Sequence, residues 1–291
     1  MRTSHFAAIA LALSLAGLTA AHAQTRTKTK KVIFVMTDGL RWQEVFQGAD
    51  AALMNKENGA VNDVEGLKKE YWRDTPAERR KTLMPFLWSV IAAQGQIYGN
   101  REAGSEAYVT NGMNFSYPGY NEIFAGFPDP KVDSNDKKYN ANVSVLEWLH
   151  AKPAYKGKIA AFGAWDTFPW ILNAPRAGFP VNAGFDAFPL SPMTPKIEIL
   201  NQLKAEAPRD VAGESDDIYP FHTALEYWRV KKPAVLYLSL GETDHWAHAG
   251  NYTEYLRAAR RVDEYVKRLW EAAQSDPSSR GVTSLVLAVD H

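Results

Sequence analysis

Three short apolar runs, each leading into an aspartate, limit how this chain can fold. Lys31-Val-Ile-Phe-Val-Met36 runs into Thr37-Asp38-Gly39, and Ala234-Val-Leu-Tyr-Leu-Ser-Leu240 into Gly241-Glu242-Thr243-Asp244. The third, Ser284-Leu-Val-Leu-Ala-Val289, runs into Asp290-His291. Such runs lack the polar alternation of a half-exposed strand, so they predict strands covered on both faces. Ile159-Ala-Ala-Phe162 reads as a fourth. Ahead of the last run, apolar residues at 255, 256, 259, 262, 266, 269, 270 and 273 trace one stripe of a helix over 253–273. Further helical stretches are predicted over 81–94 and 145–149. Buried strands alternating with helices imply an α/β fold, a mostly parallel sheet with helices on both faces. Segments 48–80 and 127–142 read as loop-rich surroundings of a site, and Arg79-Arg80-Lys81 as a solvated face.

The first 23 residues read as an address. Arg2 gives a positive start, Phe6 to Leu18 an apolar run, and Ala21-His22-Ala23 a small-x-small exit before Gln24. This is the pattern of a secretory signal peptide over 1–23, with the mature domain over 24–291 and a periplasmic or secreted location. A membrane anchor needs about 20 apolar residues, and no segment supplies them, so no span is expected after cleavage. The 33 basic residues are matched by 33 acidic ones, which leaves no basic surplus for a nucleic-acid surface. With no cysteine, there is no disulfide framework and no thiolate ligand. Any metal must be held by His, Asp or Glu, and any nucleophile must be something other than Cys.

Ligands of open parallel sheets bind beyond the carboxyl ends of the strands. Asp38, Asp244 and Asp290 therefore converge on one edge, bringing His248, four residues after Asp244, and His291 with them. Carboxylate oxygens with imidazole nitrogens are the ligand set of a hydrolytic Zn²⁺ site. One strand-end Asp alone would be a turn or cap residue; three, two of them with histidines, call for more than turn chemistry. Separately, Ser116-Tyr117-Pro118 opens a helix. Ser116 is either its N-cap or a hydroxyl set where free N–H groups favour an anion. His150 reads as a helix-end cation, and His222 and His245 as surface or supporting groups. Trp165, Phe168 and Trp170 read either as a pocket wall or as core.

In combination these pieces resemble the alkaline phosphatase superfamily, and most closely its nucleotide pyrophosphatase/phosphodiesterase branch. The matching elements are Asp38-Gly39, Ser116-Tyr117-Pro118, Gly126-Phe127-Pro128, Glu242-Thr243-Asp244 with His248, and Asp290-His291, in that order. The resemblance implies a secreted, zinc-dependent phosphoesterase acting on small phosphate esters, mono- or diesters. Asp38, Asp290, His291 and the Ser116 oxygen would hold one Zn²⁺, and Asp244 and His248 a second. Mn²⁺ or Fe also suits this ligand set. Ser116 would be the nucleophile, forming a phosphoseryl intermediate, and Asn135, or else Asn140, an oxyanion-type donor. In the family a glycine follows Asp-His, and a further His ligand for the second metal lies well downstream. The sequence stops at His291, so the resemblance implies a domain incomplete at that end. A sulfatase is disfavoured because Ser116-Tyr-Pro-Gly-Tyr120 lacks the Arg of the Cys/Ser-x-Pro-x-Arg motif. A phosphoglycerate-mutase-like relative fits the leader poorly, and a non-catalytic binding protein on the same scaffold is the rival from another class.

Overall fold

The computed structural model describes residues 28–209 and 213–291; the leader read at 1–23 lies outside them. Among the described residues five strands form one all-parallel sheet: β1 (Lys31–Thr37), β2 (Ile159–Gly163), β3 (Val181–Ala183), β4 (Val235–Leu240) and β5 (Thr283–Val289). Their order is β3-β2-β4-β1-β5. The three residues of β3 are too few to show as an apolar run. β2 and β4 are buried throughout, as a strand covered on both faces must be. β5 departs from that expectation. It lies at the sheet edge, and Val286 is 44% exposed.

Alternate strand residues point to opposite faces, and each face carries its own core. Ile33, Val35, Phe162 and Leu238 pack on one side with residues of α3 (Val64–Tyr71), α4 (Pro76–Leu83), α10 (Pro195–Glu206), α11 (Ile218–Lys231) and α13 (Tyr252–Ser275). On the other side Met36, Ile159, Ala161 and Tyr237 meet α6 (Ser116–Ala125), α7 (Val145–His150), α8 (Phe168–Ile171) and α9 (Ala174–Ala177). The remaining short helices are α1 (Trp42–Gln47), α2 (Lys56–Gly59), α5 (Ala92–Gln94) and α12 (Glu242–His248). Among the described residues no helix is long and apolar enough to cross a membrane.

Segment 48–80 is not loop-rich: it holds α2, α3 and the start of α4. Some of the segment's polar residues are caps. Asn55 and Asp63 accept the N–H groups of Asn58 and Gly66, and Thr75 forms a capping box with Glu78. Nor is Arg79-Arg80 a purely solvated face. Arg79 lies over the Trp72 ring and donates to the Gln47 carbonyl, while Arg80 lies 3.9 Å from the Trp88 ring centre. The helix expected over 81–94 is interrupted after Leu83, just ahead of Pro85, and continues as a π-helical turn over Leu87–Ile91.

The restart of that helix is fixed by Asp263 of α13. Its carboxylate is 3% exposed and accepts the N–H groups of Phe86 and Leu87, each at 2.8 Å. Burial raises the Asp263 carboxyl above its ordinary range, and the two N–H bonds oppose that shift. Asp263→Ala strands both donors in the interior, so a loss of about 1–3 kcal/mol in urea denaturation is expected. A change below about 0.5 kcal/mol, the scatter of surface substitutions, would show that the carboxylate is dispensable.

Candidate metal centre and nucleophile

Register brings the acidic residues to one level. Thr37 of β1 pairs with Leu240 of β4 on one side and Val289 of β5 on the other. Asp38, Gly241 and Asp290 therefore leave the sheet side by side, and Gly241 leads directly into α12, which carries Asp244 and His248. Asp38 is pinned at its backbone: its N–H donates to the Leu240 carbonyl at 2.9 Å, and the Thr243 hydroxyl donates to its carbonyl. Gly39 follows with φ +59, and a Cβ there would stand 2.7 Å from Asp244 Oδ1. Both the left-handed backbone and the close approach of α12 require glycine at this position.

Asp38, Asp244 and His291 each offer a ligand atom, all within 4.8 Å of one another. His291 Nε2 lies 3.2 Å from Asp38 Oδ1 and 3.8 Å from both Asp244 Oδ1 and Asp290 Oδ2. His248 Nε2 lies 3.3 Å from Asp244 Oδ2, on the outer side of the cluster. This compact trio cuts across the division that the resemblance implies, which gives His291 to one cation and Asp244 to the other. The two groupings are compatible, because paired catalytic metals stand only about 4 Å apart and their ligands necessarily crowd together.

Ser116 is the first residue of α6, while the N-cap position is Phe115 and no side chain caps the helix. The Ser116 hydroxyl thus does not serve as an N-cap. It donates to Asp38 Oδ1 at 3.4 Å and lies 3.4 Å from His291 Nε2. Asn135 sits beside it: its Oδ1 accepts the N–H of Tyr117 at 3.0 Å. Asn140 is committed elsewhere, donating to Asn121 Oδ1 at 3.0 Å. The aromatic cluster divides. Phe168 is buried against Tyr120, whereas Trp170 is partly exposed, stacks on Tyr139 and lies 5.3 Å from Lys137 Nζ. Of the remaining histidines, His245 Nδ1 stands 3.9 Å from Glu214, and burial, then nearby Lys196, Arg268 and Arg229, lowers His222 to about 4.

Three acids this close cannot all ionise cheaply. Burial, then the neighbouring Asp38, holds the Asp290 carboxyl well above its ordinary range, and the same two causes raise Asp244. The hydrogen bond to Asp38 raises the His291 imidazole. Asp290 is fully buried; its Oδ1 accepts the Gly39 N–H at 3.3 Å, yet its Oδ2 has no hydrogen-bond partner among the described residues. A buried orphan carboxylate oxygen, two neighbouring carboxylates and an imidazole form a donor set suited to a divalent cation, which reverses the cost of ionising them.

Several supporting residues escape sequence reasoning. Tyr120 bonds to Asp38 and Ser239 to Tyr120, but neither stands in a recognisable motif, and Thr243, though inside Glu242-Thr243-Asp244, gives no local sign of its bond to the Asp38 carbonyl. Tyr120 alone left a trace, four residues after Ser116 and therefore on the same helix face.

The sequence profile of the type I phosphodiesterase / nucleotide pyrophosphatase family matches residues 51–291. The chain belongs to that family, part of the alkaline phosphatase superfamily, and the parallel sheet is consistent with its α/β fold. The match includes Ser116, Asn135, Asp244, His248, Asp290 and His291; Asp38 precedes it and joins the cluster only in three dimensions. No curated protein compared with the chain matches it.

The seating of α6 on the strand ends can be tested at Gly119. A Cβ there would stand 2.3 Å from the Asp290 carbonyl oxygen. Gly→Ala inside a helix ordinarily stabilises by about 1 kcal/mol. Here overpacking should reverse the sign and leave Gly119→Ala destabilised by about 1–3 kcal/mol in chemical denaturation. A more stable variant would mean that α6 does not approach the end of β5 this closely.

Proposed function

We propose that this member of the family is an exported, metal-dependent phosphoesterase with Ser116 as nucleophile. The observation that carries the reading is the environment of the Ser116 hydroxyl. It is buried at the opening of a ten-residue helix, takes no capping role, and is directed at Asp38 and His291. Asp38, Asp290, His291 and the Ser116 oxygen would hold one Zn²⁺, and Asp244 with His248 would contribute to a second. Bound there, such ions supply what a serine lacks without a neighbouring base: a lowered hydroxyl pKa and neutralisation of phosphoryl charge.

The residues themselves do the positioning. Ser116 Oγ attacks phosphorus in line with the leaving oxygen; the new bond joins Oγ to phosphorus as the bond to the leaving alcohol or phosphate breaks, and the proton lost by the Ser116 hydroxyl is balanced by the one the leaving oxygen takes up. Water then attacks the phosphoserine, and cleavage of the Oγ–P bond returns the hydroxyl. The opening of α6 presents the positive end of its dipole to the anion. Asn135, anchored through Oδ1 to Tyr117, keeps its amide NH₂ for a phosphoryl oxygen. The partly exposed Trp170 and Tyr139 pair, with Lys137 beside it, would wall the leaving-group side. Export rests on the leader pattern at 1–23.

Ser116→Ala tests the assignment. Hydrolysis of a chromogenic phosphodiester and phosphomonoester should fall about a thousandfold or more, with the fold retained. Undiminished hydrolysis by the variant would remove Ser116 from the chemistry.

A further inference from the structure

We propose that Tyr120 is a positioning residue that decides which oxygen of Asp38 is offered to a divalent cation. The inference rests on the metal-centre reading above and adds a residue to it. Tyr120 is fully buried on α6, one turn beyond Ser116 and facing the same way. Its hydroxyl lies 3.0 Å from Asp38 Oδ2 and 2.9 Å from Ser239 Oγ on β4. A carboxylate only accepts, so the single phenolic proton goes to Asp38 and the Ser239 hydroxyl donates to Tyr120. The result is a one-way chain from Ser239 through Tyr120 to Asp38 Oδ2.

That chain leaves Oδ1 as the outward oxygen, the atom that faces both Ser116 and His291 Nε2. Asp38 is then a one-oxygen ligand whose backbone is fixed by β4 and α12 and whose carboxylate rotation is fixed by α6. The helix that carries the nucleophile therefore also orients the ligand beside it. Displacing α6 would move Ser116 and release Asp38 together. Tyr120 also packs edge-on against Phe168, with ring centres 4.9 Å apart. Packing alone is the rival role, and it involves the ring and not the hydroxyl.

Tyr120→Phe separates the two because it keeps the ring. Zinc affinity is measured by competition with a chromogenic chelator on the purified chain, beside thermal melting of the metal-free protein. Removing a hydrogen bond that orients a ligand ordinarily weakens metal binding about 10–100-fold, and this is expected for Tyr120→Phe. Ser239→Ala should weaken it less, since Tyr120 still donates to Asp38. Equal zinc affinity in wild type and Tyr120→Phe, whatever happens to melting, overturns the positioning role while leaving the metal centre standing. A folded wild-type chain that takes up no zinc overturns the metal-centre reading and this inference with it.

Discussion

Crowding of three carboxylates at one sheet edge is the constraint around which the rest of the structure is arranged. Asp38, Asp244 and Asp290 come together because β1, flanked by β4 and β5, holds Thr37 level with Leu240 and Val289. Bringing acids together in a buried place is costly in itself. The fold meets the cost with directed hydrogen bonds: Tyr120 and Ser116 to Asp38, the Gly39 N–H to Asp290, and Thr243 to the Asp38 backbone. These partners come from a strand turn and two different helices. No local segment could assemble the cluster; the register of the parallel sheet does. The orphan Oδ2 of Asp290 marks where hydrogen bonding alone falls short.

The sequence displayed the strands that matter and hid much of what supports them. β1, β4 and the run of β5 are legible because burial demands unbroken apolar residues, and the aspartates at their ends stand out against that background. β3 has three residues, too few for any periodicity. Helices α2, α3 and α4 were masked by their own caps: Asn55, Asp63 and Thr75 are the residues that also populate loops. β5 is less buried than its apolar run implies, since such a run does not reveal whether a strand lies at an edge.

The candidate site follows the same division. Ligand-type residues at strand ends, and a Ser-x-Pro at a helix start, are visible as residue types in the right places. Tyr120 and Ser239 act through tertiary contacts between α6 and β4, 119 positions apart in the chain, and nothing local announces such a pair. Family membership adds the reaction class, phosphate ester hydrolysis, to a geometry built from the residues upward. Asp38 shows why both are needed, because it falls outside the matched segment yet sits at the centre of the cluster.

We infer that this cluster is a cation site with the Ser116 hydroxyl aimed into it. Anomalous diffraction across the zinc absorption edge, from crystals of the zinc-loaded chain, tests it most directly. A zinc peak is expected about 2.0–2.2 Å from an oxygen of Asp38 and of Asp290 and from His291 Nε2, with Ser116 Oγ turned toward it. Zinc bound by other residues, or an Asp38–Asp290–His291 cluster that stays metal-free under saturating zinc, would contradict it.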